Sequence, residues 1–170
     1  MKSLTKSELG SLLTVAKSHS ELDWLMLLCT FNHGLRASET LALTRHNIVG
    51  GNLVVSRLKG SRKTTQPILP EERDGLLKLA EKDGRLFGHC AYRMKFWRTM
   101  QRYGAEAGID VTKCHPHALK HSTGRLGYEG GMGVPELQRY LGHVNGKNTM
   151  VYLEASEEQA ASAFAAAAGR

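Results

Sequence analysis

The hydrophobic pattern of this 170-residue chain changes its period once, in a short segment that lies between helical stretches. Apolar residues recur at helical spacing up to residue 43 and again after residue 70. Between these stretches, the β-forming segments 53–55 and 64–69 flank a turn that contains Gly60, which predicts a hairpin. The pair Gly50 and Gly51 indicates a further turn from an earlier short strand. The predicted fold is therefore mainly α with one small antiparallel β-sheet, an α+β fold.

Local signals also place the helix boundaries. Thr5 and Glu8 form a capping-box pattern at the start of the first helix, and Ser20 is a suitable N-cap for the second. Arg36 then falls at a junction between two helices, from which its side chain can point into a cleft. The helices are predicted at about residues 5–16, 20–33, 38–43, 70–82 and 91–107, and the last third of the chain is also helical.

The composition favours an acidic partner. The chain carries 23 Lys and Arg against 16 Asp and Glu, for a net charge of +7 and a pI of about 9.5. Nucleic acid is the commonest such partner, because basic side chains displace counterions from phosphates. An ordinary basic protein is the alternative. The three widely spaced cysteines fit a reducing cytoplasm, and the apolar run 22–31 is too short to span a bilayer. We therefore expect a cytoplasmic, single-domain protein with no membrane partner.

The segment from residue 117 to residue 152 concentrates the chemistry. It contains His117, Lys120, His143 within a Leu-Gly-His triplet, and Tyr152. Two histidines, a cation and a phenol are what metal-free attack on a phosphodiester requires. The tyrosine would be the nucleophile, the cation and one histidine would hold the phosphoryl oxygens, and the other histidine would manage the proton. Upstream, Arg36 is a candidate for a second phosphate clamp.

Each of these residues also has a simpler interpretation. Lys59, in the hairpin turn, could protonate a leaving oxygen or belong to a solvated basic turn. His117 and His121 are four residues apart and share a helical face, as zinc ligands do. Position 118 is Ala, so the general-base carboxylate of the HExxH motif is absent, which disfavours a zinc site. For His121 the sequence favours helix packing or capping over a catalytic role.

Order and spacing together make the set resemble the catalytic domain of a tyrosine recombinase, in the phage integrase family. The family pattern is an arginine in G-[LM]-R-x-x-E, a hairpin lysine, H-x-x-R, L-G-H and a nucleophilic tyrosine. One position departs from it, because Lys120 stands where the family has arginine. Lysine keeps the charge but lacks the planar fork that grips two phosphoryl oxygens. The matching residues are GLRASE at 34–39, Lys59, His117, LGH at 141–143 and Tyr152.

The resemblance implies a site-specific DNA recombinase or integrase that works without metal or other cofactor. Tyr152 would attack the scissile phosphate to form a 3′-phosphotyrosyl bond, Lys59 would protonate the leaving 5′-oxygen, and His117 would assist proton transfer. Three alternatives remain open: a type IB topoisomerase-like enzyme, a DNA-binding protein with a decayed site, and a zinc hydrolase. The catalytic residues implied are Arg36, Lys59, His117, Lys120, His143 and Tyr152.

The resemblance also implies how the protein meets DNA. Four protomers would assemble on two duplexes, with a C-terminal helix at 156–170 docking on a neighbour. The chain would be one catalytic domain, residues 1–170, without the family's N-terminal core-binding domain. It would be bacterial or phage-encoded and would act on the nucleoid. The hairpin and the basic helix near 91–107 are the predicted DNA-contacting elements, with Arg57, Arg62, Lys63, Arg93, Lys95 and Arg98 as the contacts.

Overall fold

The computed structural model of the protein describes residues 2–58, 60–152 and 157–169. Lys59 lies outside these ranges, as do the first and last residues of the C-terminal helix predicted at 156–170. Short 3₁₀ turns occur at Arg45–Asn47 and Val111–Lys113. The strands are β1 (Ile48–Val49), β2 (Asn52–Val55) and β3 (Thr64–Pro67). The α-helices are α1 (Lys6–His19), α2 (Glu21–Asn32), α3 (Ala37–Ala42), α4 (Pro70–Ala80), α5 (Arg93–Glu106), α6 (Pro116–Glu129), α7 (Val134–Leu141), α8 (Lys147–Met150) and α9 (Glu157–Ala167).

The predicted fold class is confirmed. In the described part of the chain the strands form one antiparallel sheet in the order β1-β2-β3, with Val54 opposite Thr65 and Ile48 opposite Leu53. Successive side chains of a strand point to opposite faces, so β2 buries Leu53 and Val55. The hairpin and the short strand before it therefore lie where the hydrophobic period changes.

The helix starts follow the capping signals. The Glu8 amide donates to the Thr5 hydroxyl over 3.1 Å, and the Thr5 amide donates to the Glu8 carboxylate over 2.8 Å. The Asp23 amide donates to the hydroxyl of Ser20, which satisfies a free donor at the start of α2. The sequence predicted the helix ends less well, since α4 ends at Ala80 rather than near residue 82.

Helix α2 is the centre of the core and lies next to the elements that carry the candidate site. Its buried side chains point in all directions, as expected of an apolar helix surrounded by others. The loop after α2 carries Arg36, and α6 packs against α2. The Thr123 hydroxyl on α6 donates to the Phe31 carbonyl on α2, which fixes the two helices against each other.

Within the described ranges, no helix combines the length and the apolar character needed to cross a bilayer.

Candidate active site

Glu39 fixes the direction of Arg36. Arg36 precedes α3, and its backbone amide donates to the Glu39 carboxylate over 2.7 Å. Its guanidinium donates to the same carboxylate over 2.9 Å and to the Leu58 carbonyl over 3.2 Å. Burial alone would raise the pKa of Glu39. The amides of Arg36 and Leu58 and the nearby charges outweigh it and hold that pKa below its usual value. An ionised Glu39 therefore anchors the arginine that the sequence proposed as a phosphate clamp.

The hairpin turn is tied to the site on both sides of Lys59. On one side the Leu58 amide donates to Glu39 over 3.0 Å. On the other side the Arg62 amide donates to the Gly142 carbonyl over 2.9 Å. Lys59 itself lies outside the described residues. Its predicted role as proton donor therefore remains a prediction, made for a turn whose two ends are fixed at the site.

Gly142 allows the hairpin to approach His143. It ends α7 in the left-handed conformation, with φ of 70°. A Cβ atom there would lie 2.8 Å from the carbonyl oxygen of Arg62. Both the backbone conformation and the space therefore require glycine in the Leu-Gly-His triplet. The contact is what brings the hairpin and His143 to the same site.

His143 is buried and held by a neighbouring hydroxyl. Its Nδ1 lies 2.9 Å from the Thr149 hydroxyl on α8. Burial lowers the pKa of His143 to about 4, and the charges of Lys120, Arg36 and Arg57 act in the same direction. The imidazole is therefore neutral at physiological pH. If the Thr149 hydroxyl donates to Nδ1, Nε2 carries the proton and is a donor.

Lys120 lies on α6 with only 4% of its surface exposed. Among the described residues its ammonium has no hydrogen-bond partner. Burial, together with the charge of Arg36 and against that of Glu39, lowers the pKa of Lys120 to about 8. A buried cation without a partner is costly, so this position is suited to an anion supplied by a ligand.

Tyr152 packs onto the helix that carries Lys120. Its hydroxyl lies 3.2 Å from Nδ1 of His121. A Cβ atom on Gly124 would come within 2.5 Å of the Tyr152 ring, so only glycine leaves room for this contact. Burial raises the pKa of Tyr152 to about 12, against the opposing charge of Arg36. Burial also lowers the pKa of His121 to about 4, with His117 and Lys120 contributing. A protonated phenol therefore faces a neutral imidazole.

The contact of His121 with Tyr152 is a feature that sequence reasoning missed. The sequence favoured packing or capping for His121 and gave proton transfer to His117. In the structure His117 is exposed, and its ring stands edge-on to His121 with 5.0 Å between the centroids. The four-residue spacing of the two histidines was the available signal. It showed that they share a helix face but could not show that Tyr152 lies against that face.

Arg57, predicted from the sequence as a DNA contact, faces inwards in the structure. Its guanidinium is completely buried. It donates to the carbonyls of His33 over 2.6 Å and Gly34 over 3.0 Å, to the Thr64 hydroxyl over 2.9 Å, and to Glu39 over 3.3 Å. Arg57 thus supports the loop that carries Arg36, and its charge is directed inwards.

The other predicted DNA contacts divide into two groups. Arg62 and Lys63 are exposed on the hairpin, beside the Leu-Gly-His triplet. Lys95 and Arg98, on α5, are also exposed but line a cleft at the first turn of α2. This cleft lies at the beginning of α2, which is about 18 Å long. Arg36 instead follows the end of that helix. The exposed Arg93 begins α5.

A different group of side chains has the composition of a metal site. Within the described ranges, Cys29, His33 and Glu72 have ligand atoms within 4.8 Å of one another, and all three are buried. His33 already uses both ring nitrogens, at 2.9 Å from the Gln66 side-chain oxygen and 2.8 Å from Glu72. This network joins the end of α2 to β3 and α4. The arrangement is a buried hydrogen-bond network that supports the loop before Arg36.

Residues 2–159 match the family model described as the phage integrase family. The chain belongs to this family, and its fold is that of a tyrosine recombinase catalytic domain. The predicted resemblance is therefore confirmed.

Two relatives illustrate the match. The chain is 32% identical over 164 residues to tyrosine recombinase XerA of Pyrococcus furiosus, covering 89% of this chain and 56% of that protein. It is 31% identical over 165 residues to the type 1 fimbriae regulatory protein FimB of Escherichia coli K12, covering 88% of this chain and 82% of that protein. The chain thus spans little more than half the length of the XerA relative.

Solved structures show the same fold. The XerH site-specific recombinase bound to difH substrate, in a pre-cleavage complex, superposes with a TM-score of 0.80 at 18% identity, over 96% of this chain and 53% of that one. The catalytic domain of bacteriophage HP1 integrase superposes with a TM-score of 0.75 at 25% identity, over 96% of this chain and 94% of that domain. The match to the HP1 domain is almost complete on both sides.

Proposed function

We propose that this protein is the catalytic domain of a site-specific DNA recombinase that cuts and rejoins DNA through a 3′-phosphotyrosyl intermediate. The observation that carries the proposal is the buried ammonium of Lys120, which has no hydrogen-bond partner in the described part of the chain and lies within electrostatic reach of Arg36 and His143. On the same helix as Lys120, His121 contacts the hydroxyl of Tyr152. These groups would fit a bound phosphate anion, with the phenol of Tyr152 beside it as the nucleophile.

The first chemical step is attack by the Tyr152 oxygen on phosphorus. The phenol must lose its proton, and the neutral Nδ1 of His121 lies 3.2 Å from it as an acceptor. His117, which stands against the His121 ring, assists this transfer. As the bond from phosphorus to the 5′-oxygen breaks, that oxygen takes a proton from Lys59, the donor predicted in the hairpin turn. Atoms and charge then balance without a metal ion or cofactor.

The remaining groups stabilise charge in the transition state. The Arg36 guanidinium, fixed by Glu39, and the Lys120 ammonium would bind the non-bridging oxygens. His143 would donate from Nε2, because the Thr149 hydroxyl can hold the other ring nitrogen. Preorganised donors of this kind contribute strongly because they need no rearrangement during the reaction.

DNA is the proposed partner, and Arg62 and Lys63 are its best placed contacts on this chain, since both are exposed beside the site. Four copies would assemble on two duplexes in the cytoplasm, on the nucleoid. Helix α9 carries Phe164, of which 73% is exposed. An exposed phenylalanine on an alanine-rich helix supports docking of α9 on a second copy.

Covalent trapping tests the proposed reaction. The protein is incubated with supercoiled plasmid in EDTA, the mixture is quenched with SDS, and the DNA-bound peptide is mapped by mass spectrometry. We expect a nicked DNA–protein adduct at Tyr152. An activity that EDTA abolishes would instead indicate a metal-dependent hydrolase. Efficient plasmid relaxation without recombination would favour a type IB topoisomerase.

Replacing His121 with glutamine should slow adduct formation by about 10²–10⁴-fold, the usual contribution of a general base. Glutamine can still hydrogen-bond the phenol but cannot take its proton. Single-turnover rates against pH provide the measurement, with His46→Gln as the control because His46 is an exposed histidine elsewhere on the chain. An unchanged rate for His121→Gln combined with a large loss for His117→Gln would assign the proton transfer to His117 alone.

A further inference from the structure

The lysine that departs from the family pattern also differs from arginine in its proton chemistry. An arginine remains charged in any protein environment, whereas a buried lysine can lose its proton. Lys120 is more than nine-tenths buried, and its Nζ has no hydrogen-bond partner among the described residues. Desolvation of an unpaired ammonium is unfavourable, and deprotonation is the direct way to avoid it.

The charges around Lys120 come from several elements. We call these residues the Lys120 pocket; its members are Arg36, Glu39, Arg57, Lys120, His121 and His143. Arg36 and Arg57 repel a proton on Lys120, and Glu39 attracts it. The two histidines are neutral, since the pKa of each is lowered to about 4. Lys59 lies outside the described residues.

The carboxylate in this pocket is already in use. Glu39 accepts hydrogen bonds from the guanidinium groups of Arg36 and Arg57 and from the Leu58 amide. Two guanidinium charges therefore face one carboxylate before Lys120 is counted. These groups carry an excess of positive charge, which an anion would offset.

We propose that binding of a tetrahedral oxyanion in the Lys120 pocket is coupled to uptake of a proton by Lys120. Without a bound anion, a substantial fraction of Lys120 is the neutral amine at slightly alkaline pH. When the oxyanion of a phosphodiester enters, the amine lone pair takes a proton from the solvent and the resulting ammonium pairs with the anion. No bond of the ligand breaks in this step. The inference deepens the proposed function, on which the identity of the ligand as a DNA phosphate rests.

The physical consequence is a pH limit that an arginine at this position would not impose. The pKa of Lys120 is lowered to about 8. Above that value the charged fraction falls about tenfold for each pH unit, and an anion must supply the free energy of protonation. Because the anion favours the charged form, its binding raises the pKa of Lys120. By linkage, its affinity falls as the pH rises.

NMR of the wild-type protein measures this coupling directly. Lysine is labelled at Cε and titrated between about pH 7 and pH 11, in sodium chloride and in sodium sulfate at equal ionic strength. Sulfate serves as the probe because it is a tetrahedral oxyanion whose charge is constant over this range. The signal that Lys120→Arg removes identifies the residue, and the exposed Lys63, identified by Lys63→Arg, is the control.

We expect the Lys120 signal to titrate near 8 in chloride and at least about one unit higher in sulfate. Exchange of chloride for sulfate should leave the Lys63 signal unchanged. Titration of Lys120 together with the exposed lysines, or an equal small effect of sulfate on both, would overturn the proposal. The measurement uses neither DNA nor catalysis, so it stands even if the covalent trapping experiment fails.

A second readout connects the proton to the reaction. At DNA concentrations well below saturation, where the rate reports on the free enzyme, adduct formation is compared between the wild type and Lys120→Arg as the pH is raised above 8. The ratio of wild type to variant should fall by about tenfold per pH unit, because only the wild type loses a cation from the pocket. A constant ratio would show that Lys120 keeps its proton throughout. If neither protein forms an adduct, the proposed function is contradicted while the sulfate titration still decides the proton coupling.

Discussion

Replacement of Tyr152 with phenylalanine is expected to abolish the covalent DNA–protein adduct while leaving the fold and DNA binding nearly unchanged. The variant removes the nucleophilic oxygen, and the described residues of the site offer no second phenol in contact with His121. The ring itself would still pack against Gly124. Only the hydrogen bond to His121 is lost, which costs about 1 kcal/mol of unfolding free energy. SDS-resistant adduct and thermal unfolding, measured on the same preparation, provide the test.

Tyr128→Phe is the matched control. Tyr128 lies on the same helix as Gly124 and is half-buried, so Tyr128→Phe makes the same chemical change, loss of one phenol hydroxyl, at a second tyrosine near the site. We expect Tyr128→Phe to keep the wild-type rate of adduct formation. Persistent adduct in Tyr152→Phe, or equal loss in both variants, would contradict the assignment of Tyr152 as the nucleophile.

The parts of the site that the sequence predicted are those with local signals. The capping residues, the hairpin and the loop that carries Arg36 all depend on neighbours within a few positions. The contact between His121 and Tyr152 joins residues 31 positions apart. The burial of Lys120 depends on a helix, α6, that packs against α2. Neither can be derived from spacing alone, because both follow from how separate elements are placed against each other.

Arg57 is a different case, because its burial did have a signal. Buried side chains recur at every second position along β2, at Leu53 and Val55, and Arg57 continues the same face. The cluster of basic residues around it favoured a solvated, DNA-contacting turn instead. In the structure the alternation of buried and exposed side chains extends past Val55, the last residue of the strand, so Arg57 points inwards. There the carbonyls of His33 and Gly34 and the Glu39 carboxylate replace water as its partners. A charged residue that continues the buried face of a strand is thus better predicted as a structural donor.

Replacing Arg57 with methionine should lower the free energy of unfolding by about 3–5 kcal/mol, the usual cost of removing one partner from a buried ion pair. The substitution removes the Arg57 donor from the Gly34 carbonyl and leaves the His33 carbonyl only the long hydrogen bond from Gln66, at 3.4 Å. It also removes one of the cations that hold Glu39. Glu39 remains bonded to Arg36, which limits the loss. Chemical denaturation measures the change, with Arg57→Lys as a second variant that keeps a charge but cannot reach all four acceptors.

Arg62→Met separates this structural role from DNA binding. Arg62 is an exposed arginine on the same hairpin, so its replacement should alter stability by no more than about 0.5 kcal/mol. It should weaken DNA binding and lower the salt dependence of that binding by about one counterion. If Arg57→Met instead unfolded like the wild type and showed the same loss of DNA affinity as Arg62→Met, the guanidinium of Arg57 would have to turn outwards in solution. Because Arg57 supports the loop that carries Arg36, we expect the opposite: a less stable protein whose adduct formation falls further than its DNA affinity.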